Sequence, residues 1–192
     1  MRYNVIDPES YFEATAFLDM GTVLSGFERN LPAGARDLLD AGCGSGRDAR
    51  VLIDRGYRVT AFDAHHELCR LASERLGVPA ICKTFEQVDW HEQFDGIWAC
   101  ASLLHLTPAA LTDAVHRLAR ALRVRGVIQM SFKEGDGPRI DRLGRYMHDQ
   151  SWLSLKHLLC GCPDLELVRI FNTGDRMPGR DTTWINAVAR RV

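Results

Sequence analysis

One stretch narrows the fold more than any other. Leu38-Leu39-Asp40-Ala41-Gly42-Cys43-Gly44-Ser45-Gly46 is an apolar strand that runs into three glycines at alternate positions. A helical pattern follows at once, over residues 47–55, with Ala49, Leu52 and Ile53 on one face and Gly56 behind it. Glycines at such a turn tolerate positive φ and let a ligand approach the main chain. A strand, a glycine turn and a helix in that order form one unit of an open parallel sheet. Its ligand belongs at the carboxyl end of the first strand, near the point where strand order reverses.

The rest of the chain repeats the alternation. Strand-like runs at residues 37–41, 57–63, 80–83, 94–100 and 127–132 are separated by helical patterns at 47–55, 65–76 and from Thr107-Pro108 onward, a capping residue followed by proline. Before them, Asp7-Pro8 opens a helical region that runs to about Asn30 and breaks near Gly21. After them the pattern changes. Residues 133–150 are charged and glycine-containing and read as a loop. Residues 151–160 form a helix with Trp152, Leu155 and Leu159 on one face. Residues 165–171 and 183–189 are strands joined through turn formers, so they pair antiparallel. The expectation is an α/β fold: one mostly parallel, doubly wound sheet with a single antiparallel strand, preceded by N-terminal helices.

Composition removes several functional classes. A chain of 192 residues holds one core. A formal net charge of −1 provides no field to draw the protein to nucleic acid or an anionic membrane, so a nucleic-acid partner is disfavoured. No apolar run reaches the ~20 residues of a membrane helix, and the first ten residues are polar, unlike a signal peptide. Cys43, Cys69, Cys82, Cys100, Cys160 and Cys162 are scattered through apolar stretches rather than set as a disulfide framework. Cys160 and Cys162 lack a second Cys/His pair at zinc spacing, so no metal is expected. Reduced thiols point to the cytoplasm.

Asp63 ends the second strand, where an acid accepts the ribose hydroxyls of an adenosine cofactor. Two details separate the candidate cofactors. The glycine spacing is one residue short of the dinucleotide fingerprint. Asp40, two residues before Gly42, would repel a pyrophosphate but attract an ammonium group. A nicotinamide oxidoreductase is the weaker alternative.

At this point the chain resembles the class I, Rossmann-like methyltransferases that use S-adenosylmethionine (SAM), in the form common to small bacterial members. Residues 40–48 are similar to their first motif, Val59-Thr60-Ala61-Phe62-Asp63 to their second, and residues 94–106 to the segment of their fourth strand. The resemblance implies a seven-stranded sheet of order 3-2-1-4-5-7-6, a helical cap over residues 1–34 and a SAM-binding domain over 35–192. It also implies that Tyr11, Asp40, Ala41, Gly42, Cys43, Gly44, Gly46 and Arg47 surround the methionine part, that Asp63 and Ala64 hold the ribose, that Thr84, Phe85 and Glu86 flank adenine, and that Ala99, Cys100 and Ala101 floor the site near the sulfonium. S-adenosylhomocysteine (SAH) would be the product. Two departures stand out: Thr84 occupies a place where many members carry an acid, and Val124-Arg125-Gly126 stands where Pro-Gly-Gly is common.

Methyl transfer from a sulfonium needs an oriented acceptor more than it needs acid–base chemistry. His105, after the fourth strand, is either the proton acceptor or a histidine that closes a loop. Lys133, Arg145, Tyr146 and Arg180 are placed to cover the pocket, either as a clamp on an anionic acceptor or as a solvated surface paired with neighbouring acids. A small-molecule acceptor is the leading expectation. An RNA or protein acceptor, or SAM binding without catalysis, is the alternative.

Overall fold

A computed structural model describes residues 7–192; the first six residues of the expected 1–34 cap lie outside the described residues. In chain order the elements are α1 (Pro8–Thr15), α2 (Gly21–Glu28), β1 (Asp37–Ala41), α3 (Arg47–Asp54), β2 (Arg58–Asp63), α4 (His66–Leu76), β3 (Ile81–Cys82), β4 (Phe94–Ala99), α5 (Pro108–Ala121), β5 (Leu122–Lys133), β6 (Gly137–Ile140), β7 (Tyr146–Asp149), α6 (Trp152–Cys160), β8 (Leu165–Gly174) and β9 (Thr183–Arg191). Short 3-10 turns follow β3 at Phe85–Gln87 and β4 at Leu103–His105.

Seven strands form one sheet in the order β3-β2-β1-β4-β5-β9-β8. Counting only these strands, that is the expected 3-2-1-4-5-7-6. β9 alone runs antiparallel to its neighbours. The chain winds from β1 out to β3 and then crosses to β4, so the reversal of strand order lies between β1 and β4.

Side chains alternate across the sheet. Leu39, Ala41, Ile97, Ala99, Ile128 and Met130 face α5 and α6. Leu38, Trp98, Val127 and Val188 face the other way, under α2 and α3. Both faces are covered, which is why the central strands read as nearly unbroken apolar runs. α2 brings Val23, Leu24 and Phe27 into this second core, with Phe27 5.4 Å from the Trp98 ring.

Three local expectations are corrected. Residues 133–150 are not a loop: β6 and β7 pair as an antiparallel hairpin, closed by a turn in which Asp141 accepts the amides of Leu143 and Arg145. Charged residues on both strands hid the apolar alternation that marks a strand. Trp152 does not join Leu155 and Leu159 in the core; as the first residue of α6 it lies 51% exposed. Asp7 occupies the N-cap of α1, but its carboxylate takes the Ser10 hydroxyl rather than a main-chain N–H.

Candidate active site

The site starts from the backbone after β1. Gly42, Gly44 and Gly46 have φ of +81°, +53° and +69°. The N–H groups of Gly42 and Cys43 both donate to the Phe62 carbonyl at the end of β2. A Cβ on Gly42 would come within 2.3 Å of Ser102 Cβ, and one on Gly44 within 3.3 Å of the Tyr11 ring. Gly46 packs against Ala72 of α4 instead. Gly42 and Gly44 therefore let the turn pack closely against Ser102 and Tyr11 where it lines the cleft, whereas Gly46 serves helix packing.

Three acids surround the turn, all buried. Asp40 Oδ2 accepts the Ala49 amide at 3.1 Å. Burial, and then the nearby Asp48 charge, pushes the Asp40 carboxyl well above its usual range. Asp63 accepts the amides of Gly44 and His65, each at 2.9 Å, and burial raises it too. Asp48, in the first turn of α3, takes two hydrogen bonds from Arg47 and one from Trp98 Nε1 at 2.8 Å. Two of the three acids thus rest on backbone amides with no ion pair among the described residues. Burial and the charges of Asp40 and Asp63 push the Cys43 thiol up, so it is an inert buried side chain.

Across the cleft, the loop after β4 is held in an uncommon conformation. Ala101 has φ +53°, a left-handed state that costs an L-residue roughly 1–2 kcal/mol. Its amide donates to Ser131 Oγ on β5 at 2.9 Å, and the Ser102 hydroxyl donates to the Ala41 carbonyl at 2.6 Å. These two bonds hold the strained segment in place.

His105 closes the 3-10 turn beyond that loop. Its Nδ1 lies 3.0 Å from the Tyr146 carbonyl on β7. A carbonyl only accepts, so Nδ1 carries the proton and Nε2 is the basic nitrogen of the neutral ring. Burial pulls the ring down to about 4; the Tyr146 bond and Asp141 oppose this, while Arg145 and Lys133 reinforce it.

One cleft joins these parts. From the cofactor set it brings together Tyr11, Asp40, Gly42, Cys43, Gly44, Arg47, Cys100 and Ala101, and at its other end His105, Lys133, Arg145 and Arg180. Ala41, Gly46, Asp63, Ala64, Thr84, Phe85, Glu86 and Ala99 do not line it. Asp63 lies beneath Gly44, and Ala64, Thr84 and Glu86 are exposed at the far side of β2 and β3. Thr84 caps the 3-10 turn with Gln87, and Phe85 stacks edge-on to Phe62 at 5.2 Å. Tyr146 meets the site through its carbonyl.

Sequence reasoning missed several lining residues. Leu18 and Met20 come from the link into α2 and Val23 from its first turn; Ser131 and Asn186 come from the middle of the sheet; Trp184 comes from the start of β9. The signal for Ser131 and Asn186 was available, as polar residues inside strands that are otherwise apolar. Nothing local marked the others.

Comparison with known proteins agrees with this geometry. Residues 38–126 match the family described as methyltransferase domain. No curated protein matches the chain. Among solved structures, a SAM-dependent methyltransferase from Methanosarcina mazei superposes with a TM-score of 0.76 at 18% identity, covering 91% of this chain and 99% of that one. The 1,6-didemethyltoxoflavin N1-methyltransferase of Burkholderia thailandensis gives 0.70 at 22%, covering 100% and 93%. The N-methyltransferase NodS of Bradyrhizobium japonicum gives 0.71 at 15%, covering 96% of each. At such identities the superpositions speak for the fold, and the family match covers the two glycine and acid motifs.

The residues present fit SAM. Buried carboxylates without an ion pair suit a cationic ligand, and Gly42 and Gly44, which carry no side chain, line the cleft beside Asp40. Asp63 has lone pairs beyond the two that its amides use, enough for a pair of hydroxyls. The fold, the motifs and the family match over residues 38–126 together support a class I, Rossmann-like SAM-dependent methyltransferase.

Proposed function

We propose that this methyltransferase acts on a small molecule lodged in the outer half of the cleft, between the loop after β4 and the turn joining β8 to β9. The observation that carries the proposal is continuity: one cleft runs from Asp40 and Gly42 past Ala101 to His105, Lys133 and Arg180. Solved relatives favour small acceptors as well. The Burkholderia thailandensis enzyme was captured with 1,6-didemethyltoxoflavin and SAH.

Asp40, Arg47 and the backbone of residues 41–46 hold the methionine part, with Tyr11 as a lid. Asp63 and Ala64 hold the ribose, and Thr84, Phe85 and Glu86 border the adenine. Ala99, Cys100 and Ala101 form the floor. SAM supplies a methyl group already activated on a positive sulfur. The acceptor's lone pair forms the new bond, the S–CH3 bond breaks, and its electron pair stays on sulfur. The protein's share is orientation and exclusion of water, worth up to roughly 7–11 kcal/mol. His105 takes the acceptor's proton on Nε2 where there is one to lose. Lys133, Arg145, Tyr146 and Arg180 border the acceptor. The six cysteines are free thiols, which supports a reducing compartment such as the cytoplasm. Among the described residues no helix is long and apolar enough to cross a membrane.

The test is SAH formation from SAM with a panel of small amines, phenols and carboxylic acids, run beside total RNA and a protein extract. Turnover with a small acceptor is expected. Turnover with RNA or protein alone would overturn the proposal.

A further inference from the structure

The two ends of the cleft carry opposite charge. At the inner end, the Asp48 carboxylate neutralises Arg47, which leaves Asp40 as the lining acid without an ion pair among the described residues. At the outer end the basic side chains outnumber the acids. Arg145 forms a salt bridge to Asp141 at 2.6 Å, and Arg139 is paired with Asp149 at 2.5 Å. Lys133, Arg176 and Arg180 have no ion pair among the described residues. Asp175, the acid that lines this end of the cleft, accepts the Met177 amide and the Trp184 indole N–H, while Asp141 and Asp149, which also act on Lys133, are held by Arg145 and Arg139.

The three cations converge through the sheet. Lys133 ends β5 directly opposite Trp184 of β9, and Trp184 pairs with Thr173 of β8. Arg176 and Arg180 lie in the turn that continues from β8, and both line the same cleft as Lys133. Lys133 is half-buried, and burial, then Arg139 and Arg145, hold its ammonium below the usual range. A cation kept charged among other cations at a cleft wall gains most from an anionic partner.

From this geometry we infer that the acceptor carries a carboxylate or phosphate group, gripped by Lys133, Arg176 and Arg180 with the Trp184 ring beside it. The inference rests on the methyltransferase function and names its substrate class. Arg145 is excluded from the grip because Asp141 already neutralises it. The division of charge also gives the cleft a direction: the cationic cofactor is attracted to the Asp40 end and the anionic acceptor to the Lys133 end, so the two meet near Ala101.

Calorimetry on the full chain tests this, with benzoate, benzamide and inorganic phosphate as probes, with and without SAH. Benzoate or phosphate is expected to bind at least about tenfold more tightly than benzamide, the scale of one charge-assisted hydrogen bond. Lys133→Gln should lower anion affinity by a similar factor and leave SAH affinity unchanged. Arg176→Gln combined with Arg180→Gln should do the same; both residues are exposed, so folding is not at stake. Arg142→Gln, an exposed hairpin arginine outside the cleft, controls for net charge and should change nothing. Equal binding of benzoate and benzamide, or variants that bind anions like wild type, would overturn the inference. Failure of SAH to bind would strike the cofactor assignment instead, and the anion titration is then judged on the cofactor-free protein.

Discussion

The inner and outer ends of the cleft are built by different means. At the inner end, position is set by main chain: glycines at positive φ, amides on Asp40 and Asp63, and a turn tied to the Phe62 carbonyl. At the outer end, side chains from β5, the β6–β7 hairpin and the β8–β9 turn meet only because the sheet brings them together. A backbone-built site tolerates little change of side chain but can be carried from chain to chain. A side-chain-built site changes freely. In the proposed site, the backbone-built end is the one that takes the cofactor and the side-chain-built end the one that takes the acceptor.

The contrast is broken most sharply at Gly42. Gly42→Val puts a β-branched residue at φ +81° and its Cβ 2.3 Å from Ser102. The left-handed state alone costs about 1–2 kcal/mol, and the clash adds to it. A fall of roughly 3 kcal/mol or more in urea stability is expected, with SAH binding lost in calorimetry. A wild-type isotherm from this variant would show that the glycine turn is not where the cofactor lies. Next in size is Asp48→Ala. It strips Arg47 of its partner and leaves Trp98 Nε1 buried without an acceptor. Removing one member of such a buried cluster destabilises by about 3–5 kcal/mol at most, less here because Arg47 is partly exposed. Denaturant melts of Asp48→Ala against Asp48→Asn, which keeps an acceptor for Trp98, separate the two contributions.

What the sequence made legible follows the same divide. The alternation of strands and helices, the glycine turn and the two flanking acids could be read because each is a local pattern with its own physical reason, while the strand order came only with the family resemblance. Locally, Asp48 is no more than an acid in the first turn of a helix. Its bond to Trp98 joins residues far apart in the chain, and no spacing announces it. The hairpin of β6 and β7 was hidden because its strands carry charge on the exposed side and only Met147 fully in the core. His105 was visible as a candidate, but the Tyr146 carbonyl that fixes its tautomer belongs to that hidden hairpin.

His105 sharpens the comparison through pH. Its pKa is about 4 in the folded chain against an ordinary 6.5. Between those values the unfolded chain binds the additional proton, so the folded state loses stability as pH falls from 6.5 toward 4. From pH 7 to 5 the loss is about 2 kcal/mol. His148, also lowered by burial, acts in the same direction. His105→Gln should flatten its share of that slope in melts at pH 7 and 5 while leaving SAH affinity at pH 7 intact. An unchanged slope would mean that burial does not hold the ring neutral. With an acceptor whose proton must leave, the same variant should also lower kcat more than it raises KM.

The smallest effect is the most informative about the inner end. Asp40 is buried with its carboxyl raised, so in the cofactor-free protein its charge opposes folding at neutral pH, and this opposition fades as pH falls through the raised value. Asp40→Asn keeps an oxygen for the Ala49 amide and removes the charge. The cofactor-free melting midpoint should therefore rise, by about 2–4 °C if the relief is roughly 1 kcal/mol. SAM affinity should fall while the midpoint rises, because in the proposed site the same charge attracts the cofactor's ammonium. A residue kept for structure would move both quantities down. Opposite signs, read from thermal melts and calorimetry on one variant, would show that the chain carries an uncompensated buried charge because its ligand is a cation.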